Sequence, residues 1–169
     1  MTAAKVAILV RRAAIADFTA VSRLRNQLQT ASRARRPDIY RPLYLGSTEA
    51  LFQSELAEPD ALILVAELAG EVAGFAATYF ADGTGGAIGF PRRFASIGSL
   101  VVGPQFHNQG AGRALLAAIE KAAHHDGVEV LTLNVDATND QARAFYDRTG
   151  FGVEMEHWQK HLRRVRRIE

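Results

Sequence analysis

An apolar strand, a glycine-containing turn and a helix follow one another directly between residues 94 and 126, and this order constrains the fold most. Residues 94–102 are apolar, the turn carries Gly110 and Gly112, and apolar residues then recur at helical spacing. A helix that begins on a glycine turn exposes unpaired backbone N–H groups at the positive end of its dipole. The segment therefore predicts an anion site, and the anion is most often a phosphate.

The same segment continues into a crossover between two strands. A further strand is predicted over residues 129–135, after a helix over residues 110–126. A strand, a helix and a second strand in this order place the two strands side by side and parallel. Residues 61–69 and 72–80 instead predict a hairpin with a tight turn at Gly70-Glu71. We expect an α/β fold with a mixed sheet and helices on both faces.

The other apolar patterns complete the order βααββ followed by βαβαβ. The remaining predicted strands cover residues 5–12 and 151–162, the remaining helices cover 17–34, 47–56 and 138–148, and a glycine-rich, mobile loop covers 81–93. Thr138 and Gln141 form a capping-box pattern at the start of the last helix.

Composition limits the class of protein. A chain of 169 residues fits one domain with a full core. An apolar fraction of 48% with 22% charged residues is ordinary for a soluble globular protein. No apolar run approaches the ~20 residues of a membrane helix, so we expect no membrane partner. The absence of cysteine excludes disulfides, thiolate zinc sites and cysteine nucleophiles, and permits the cytoplasmic setting that we expect.

Positive charge is uneven although the net charge is only +2. One arginine cluster spans residues 33–36 and another spans residues 163–167. We interpret them as a solvated helix end and a basic tail, and an acidic ligand near the first cluster remains an alternative. No aromatic residues interleave with the arginines, so no nucleic-acid partner is expected.

The phosphate ligand can be narrowed by comparing motifs. The chain has no Walker loop, and the dinucleotide fingerprint fails because Leu115 stands where its third glycine belongs. The turn from His107 to Gly112 instead resembles the Gln/Arg-x-x-Gly-x-Gly/Ala signature of the GNAT superfamily of coenzyme A acetyltransferases. His107 departs from that signature at its first position. Since main-chain N–H groups do most of the phosphate holding, the departure weakens the match only slightly.

A second block supports the same resemblance. Asn139, Ala142, Phe145-Tyr146 and Gly150-Phe151 match the order and spacing of a superfamily segment. The resemblance covers most of residues 6–162. It implies a single N-acetyltransferase domain over residues 1–169, with a basic tail at 163–169. It also implies a GNAT-type mixed, mostly antiparallel twisted sheet with a central parallel strand pair.

The resemblance also implies a set of site residues and acetyl-CoA as the co-substrate, without a metal. The residues expected to bind coenzyme A are Leu100, Val101, Val102, Gln109, Gly110, Ala111, Gly112, Arg113, Ala114 and Asn139. Tyr146 is expected to be the catalytic general acid that protonates the leaving thiolate. A main-chain N–H near Val102 would polarise the thioester carbonyl.

The general base is not evident in the sequence. Many superfamily members carry a carboxylate just before the Leu-Val-Val run, where this chain has Gly98 and Ser99. The candidates elsewhere are Glu67, Glu154, Glu156 and His157, the last three on the predicted final strand. A chain of water molecules, or an acceptor amine of low pKa, is an equal alternative.

Together these features predict an enzyme that transfers an acetyl group from acetyl-CoA to a primary amine. The amine would attack the thioester directly in a ternary complex, a route that fits a chain without cysteine. The expected partner is an amine-bearing small molecule or peptide, and a homodimer is left open. The alternative is a non-catalytic acyl-CoA-binding sensor or interaction module on the same fold, which the missing carboxylate motivates.

Overall fold

The computed structural model describes residues 7–41 and 45–160 of the chain. Its elements are β1 (Ile8–Arg12), a 3₁₀ turn (Ile15–Asp17), α1 (Phe18–Arg35), α2 (Leu45–Ala57), β2 (Ala61–Leu68), β3 (Glu71–Gly83), β4 (Arg92–Val102), a second 3₁₀ turn (Pro104–Phe106), α3 (Ala111–His125), β5 (Val130–Leu133) and α4 (Asp140–Asp147). The order confirms the predicted succession of helices and strands as far as α4. The described residues divide into two compact units, one within Met1–Leu28 and Leu43–Asn134 and the other within Gln29–Pro42 and Val135–Glu169.

The first unit contains a five-stranded mixed sheet in the order β1-β2-β3-β4-β5. β1, β2, β3 and β4 pair antiparallel, whereas β4 and β5 pair parallel. The crossover through α3 therefore has the predicted geometry. In the described part of the chain β5 is the edge strand, so the parallel pair lies at one edge of the sheet.

Helices cover both faces of the sheet, and the side chains of β2 are therefore buried on both sides of the strand. On one face, Val21 and Leu24 of α1 and Phe52 of α2 pack in one core cluster with Val65 and Phe75. Side chains alternate along a strand, so Leu62, Leu64 and Ala66 face the other way. There α3 contacts β1, β2, β3 and β4, with Leu115, Leu116 and Ile119 buried.

Two predicted boundaries of the β2–β4 region are wrong. The turn between β2 and β3 is Ala69-Gly70, with φ of 52° and 82°, and Glu71 already belongs to β3. The predicted loop 81–93 is shorter, because β3 runs to Gly83 and β4 begins at Arg92. An ion pair of 3.1 Å between Arg93 and Asp82 joins the far ends of β3 and β4. Arg93 also forms an ion pair of 2.6 Å with Asp126, at the end of α3.

The predicted strand 151–162 is also wrong for the residues that the structure describes. Residues 151–160 form no helix or strand, and residues 161 and 162 lie outside the described part of the chain. The alternation of Val153 and Met155 with glutamates has the period of a strand, but both apolar side chains are exposed, at 76% and 89%. A period of two indicates a strand only where a neighbouring strand supplies hydrogen bonds.

β4 has a bulge at Gly98, next to the point where its pairing with β5 ends. Ser99 lies opposite Ala77 and Ile97 lies opposite Thr78, so Gly98 has no partner on β3. The pairing with β5 ends at Ile97, opposite Leu133. Residues 99–102 are therefore paired with β3 only.

Candidate functional site

The turn before α3 presents backbone N–H groups without a capping side chain. Gly110 is the N-cap residue of α3, with φ of 95°, and it makes no side-chain cap hydrogen bond. The Ala114 amide donates to the Gly110 carbonyl oxygen at 2.9 Å, which is the first bond of the helix. The amides of Ala111, Gly112 and Arg113 precede this bond and point out of the helix end. The geometry is that of an anion site, and it fits a phosphate.

Side chains within the turn hold its shape. Nε2 of His107 lies 2.9 Å from the Val102 carbonyl oxygen, and Nε2 of Gln109 donates to the Gln105 carbonyl oxygen at 2.9 Å. Because a carbonyl only accepts, Nε2 of His107 is the protonated ring nitrogen in this contact. His107 thus ties the turn to the end of β4, and the Gln109 side chain is used within the turn.

The last residues of β4 point their polar backbone groups in alternating directions. The Gly103 amide donates to the Ala73 carbonyl oxygen of β3 at 2.8 Å. By the alternation of a strand, the N–H groups of Leu100 and Val102 point away from β3, toward the side that β5 does not reach. Val101 faces β3 with its backbone and is buried in the core cluster. Leu100 and Val102 therefore direct backbone N–H groups toward a ligand on this side, whereas the Val102 carbonyl oxygen is used by His107.

Asn139 and Tyr146 belong to the second compact unit, where both lie on or next to α4. The Oδ1 atom of Asn139 accepts from the Ala142 amide at 3.3 Å, so Asn139 is the N-cap residue of this helix. Tyr146 stacks edge-on between Phe145 and Phe151, at ring distances of 5.3 and 5.4 Å. Burial raises the pKa of the Tyr146 phenol, which keeps it protonated at neutral pH.

The candidate bases predicted from the sequence do not resemble activated bases. Glu67 accepts from Nε of Arg11 at 2.8 Å and so belongs to an ion pair between β1 and β2. Glu154, Glu156 and His157 are exposed and lie on the irregular segment, not on the strand that the sequence predicted. Glu156 accepts from Nε1 of Trp158 at 3.1 Å.

A buried carboxylate that the sequence analysis missed lies on α2. Glu55 is 8% exposed, forms an ion pair with Arg25 of α1, and accepts from the Tyr79 hydroxyl at 2.8 Å. The signal was present in the sequence, because Glu55 follows Phe52 by three residues on the apolar side of its helix. An analysis that looks for apolar residues at helical spacing does not identify Glu55 as buried, because its side chain is charged.

Two kinds of feature are absent from the part of the chain that the structure describes. Among residues 7–41 and 45–160, no group of three or more His, Asp or Glu side chains is placed to hold a metal ion. No helix in these ranges is long and apolar enough to cross a membrane.

Residues 23–151 match the sequence model of the acetyltransferase (GNAT) family. The chain belongs to this family. A protein of Bacillus subtilis (strain 168) named as the uncharacterized N-acetyltransferase YhfO is 30% identical over 143 residues, covering 84% of this chain and 88% of that protein. The 5-NmdU N-acetyltransferase of Pseudomonas phage PaMx11 is 36% identical over 107 residues, covering 63% of this chain and 69% of that enzyme.

Solved structures support the GNAT fold. A mutant of the BH1408 protein from Bacillus halodurans superimposes with a TM-score of 0.87 at 22% identity, covering 91% of this chain and 99% of that one. The aminoglycoside N-acetyltransferase AAC(6')-Iy in complex with CoA superimposes with a TM-score of 0.74 at 18% identity, covering 97% of this chain and 99% of that one. At these identities the likeness extends to the fold alone.

Proposed function

We propose that this GNAT acetyltransferase transfers an acetyl group from acetyl-CoA to the primary amine of an acceptor by direct attack in a ternary complex. The observation that carries the proposal is that the unpaired edge of β4 is followed in the chain by the start of α3, which has no capping side chain. Leu100 and Val102 direct N–H groups away from β3, and the amides of Ala111 to Arg113 follow at the start of α3. A ligand with an amide-bearing arm and a pyrophosphate matches this order of groups.

The donor is held mainly by backbone atoms. The pyrophosphate accepts hydrogen bonds from the start of α3, with Gln109, Gly110 and Ala114 completing the turn. The pantetheine arm lies along Leu100, Val101 and Val102 and pairs with the backbone N–H groups of Leu100 and Val102, and Asn139 contacts this arm. The N–H of Val102 polarises the thioester carbonyl, a type of contact worth about 3–4 kcal/mol in the transition state. Acetyl-CoA itself supplies the activated acetyl group.

Tyr146 provides the proton for the leaving group. A new C–N bond forms as the C–S bond breaks, and the departing sulfur takes the phenolic proton of Tyr146 while the amine loses a proton to water. A tyrosine with an ordinary pKa of 10.0 is protonated at neutral pH, and burial raises the pKa of Tyr146 further, so its phenol holds the proton that this step needs.

The wider setting belongs to the same proposal. Residues 1–169 act as one cytoplasmic N-acetyltransferase domain on an amine-bearing small molecule or peptide, with neither a metal nor a nucleic acid. An acceptor of the aminoglycoside class is included, since a neighbour in fold is an aminoglycoside acetyltransferase solved with sisomicin.

An acetyl-transfer assay on a panel of primary amines tests this function, with Tyr146→Phe as the main variant. We expect the wild type to acetylate at least one amine, and Tyr146→Phe to lower kcat by about 100-fold with an unchanged KM for acetyl-CoA. Tyr40→Phe removes a hydroxyl from another half-buried tyrosine and should leave kcat within about twofold of the wild type.

The possible failures of this assay have different meanings. Full activity of Tyr146→Phe would remove its role as the proton donor. Tight binding of acetyl-CoA with no acetylated amine would favour the alternative, a non-catalytic acyl-CoA-binding module. The observation that supports a non-catalytic module is the absence of a carboxylate at positions 98 and 99, where the chain has Gly98 and Ser99.

A further inference from the structure

A buried polar cluster lies on the α1–α2 face of the sheet, outside the proposed donor site. Glu55 of α2 and Arg25 of α1 form an ion pair whose side chains are only 9% and 10% exposed. The hydroxyl of Tyr79 on β3 donates to Oε1 of Glu55 at 2.8 Å. Arg25 occupies the other oxygen of Glu55, so each oxygen of this carboxylate has a partner.

Packing alone does not require this ion pair. The guanidinium of Arg25 lies over the rings of Phe52 and Phe75, at 5.9 and 5.3 Å, in the middle of an apolar core. Its Nη1 atom is buried without a hydrogen-bond partner among the described residues. Burying such a pair costs free energy that an apolar replacement would avoid. Because burial of the Arg25–Glu55 pair costs free energy, the pair is expected to serve a function other than stability.

The cluster lies beside the bulge of β4. A Cβ atom built on Gly98 would come within 3.0 Å of Cε2 of Tyr79. Gly98 is exposed and begins the stretch of β4 that β5 does not cover. The Tyr79 ring therefore borders the backbone that precedes Leu100 and Val102, on the face opposite to α3.

The hydrogen-bonding state of the phenol limits what it can bind. Its proton is committed to Glu55, so the free lone pairs of its oxygen can only accept a hydrogen bond. Because the charge of Arg25 balances that of Glu55, the cluster has no net negative charge. Such a group suits the N–H of a neutral amine better than it suits an ammonium ion, and a neutral amine keeps its lone pair for attack.

We propose that Tyr79, oriented by Glu55 and Arg25, binds the amine of the acetyl acceptor beside the Gly98 bulge. The inference rests on the proposed acetyl transfer and adds an acceptor-binding residue to it. Glu55 and Arg25 are positioning residues that act through the phenol. This arrangement makes a carboxylate at Gly98 or Ser99 unnecessary for holding the amine.

Steady-state kinetics of Tyr79→Phe test the proposal, with kanamycin, spermidine, L-lysine and 2-phenylethylamine as acceptor probes. We expect the KM for the acetylated amine to rise about tenfold, with the KM for acetyl-CoA within about twofold of the wild type. Thr78→Val is the matched control. It removes a hydroxyl from the adjacent residue, whose buried side chain faces the other side of β3, and it should leave the KM for the amine unchanged.

A double-mutant cycle separates positioning from a merely structural role. Glu55→Gln keeps an oxygen that can accept from Tyr79, so its effect on the KM for the amine should be smaller than that of Tyr79→Phe. Combined with Tyr79→Phe, Glu55→Gln should add nothing further to the KM for the amine. A structural role would instead lower the melting temperature and leave the KM for the amine as it is.

The outcomes distinguish this inference from the proposed function. An active wild type whose KM for the amine is unaltered by Tyr79→Phe would overturn the inference and leave the acetyl transfer standing. A wild type that binds CoA in calorimetry but acetylates none of the four amines would overturn both. An increase in the KM for the amine that Thr78→Val reproduces would also overturn the inference.

Discussion

Asp17 shows, at the scale of a single residue, how the chain makes a buried carboxylate stable. Its Oδ2 atom accepts from Nη1 of Arg11 and from the Ala14 amide, both at 2.8 Å. The hydrogen bond from Arg11 is the main reason why the pKa of Asp17 lies below its ordinary value. Asp17 thereby joins β1 to the 3₁₀ turn that leads into α1.

This geometry predicts a dependence of stability on pH. Because the pKa of Asp17 is lower in the folded state than its unfolded value of 3.8, its contribution is complete above that value. The contribution is lost as the pH falls through the folded pKa. Asp17→Asn should lower the free energy of unfolding by about 2 kcal/mol at pH 7, and by progressively less below pH ~4.

Urea denaturation of both proteins between pH 3 and pH 7 measures this difference. Asp147→Asn, at an exposed position on α4, should leave the free energy of unfolding within about 0.5 kcal/mol of the wild type at every pH. A constant gap between Asp17→Asn and the wild type down to pH ~3 would contradict the proposed linkage.

At the scale of an element, α3 has a glycine at each end with a different use. Gly110 precedes the helix with φ of 95°, and Gly127 follows it with φ of 70°. A Cβ on Gly110 would lie 3.3 Å from Cδ1 of Ile8, whereas nothing lies within 4 Å of one on Gly127. Both positions need a conformation that is costly for other residues, but only Gly110 lies at the proposed pyrophosphate site.

The pair Gly110→Ala and Gly127→Ala tests that distinction. Each change should lower the free energy of unfolding by about 1–2 kcal/mol, because an alanine with positive φ is strained. Only Gly110→Ala should also weaken the binding of CoA, by about tenfold, because it shifts the amides that contact the phosphates. Calorimetric titration with CoA measures the effect, and equal affinities of the two variants would argue against a phosphate site at this turn.

At the scale of the whole molecule, none of the three glutamates that the sequence suggests as a base for the attacking amine has the surroundings of an activated base among the described residues. An alkyl ammonium with a pKa of about 10.4 costs about 4–5 kcal/mol to deprotonate at neutral pH. Glu67 is engaged by Arg11, and Glu154 and Glu156 are exposed. We propose that the proton leaves through water.

A carboxylate scan over the chain tests this conclusion. Glu67→Gln, Glu154→Gln and Glu156→Gln should each lower kcat by less than about tenfold at saturating acetyl-CoA and amine. The measurement is kcat at pH 7 for the best amine of the panel. A loss of about 100-fold in any one variant would identify a general base and refute the solvent route.

Features that depend on residues close together in the chain could be predicted, and features that depend on residues far apart in the chain could not. α3 was predicted to within one residue at each end, because its glycines and apolar spacing are local signals. The predicted hairpin turn lies one residue too far along the chain, because alanine at position 69 gives no signal for the positive φ that it adopts. The strand predicted over 151–162 does not form over the described residues 151–160, because strand pairing depends on a neighbour elsewhere in the chain.

The order of the elements as far as α4, the membership of the acetyltransferase family and the glycine turn before α3 can all be predicted from the sequence. Each of these is written in residues that are close together in the chain. The bulge at Gly98, the end of the β4–β5 pairing at Ile97 and the contacts of Glu55 with Tyr79 and Arg25 are apparent only once the chain is folded. Glu55 is 24 residues from Tyr79 and 30 from Arg25, and packing alone brings such distant residues together.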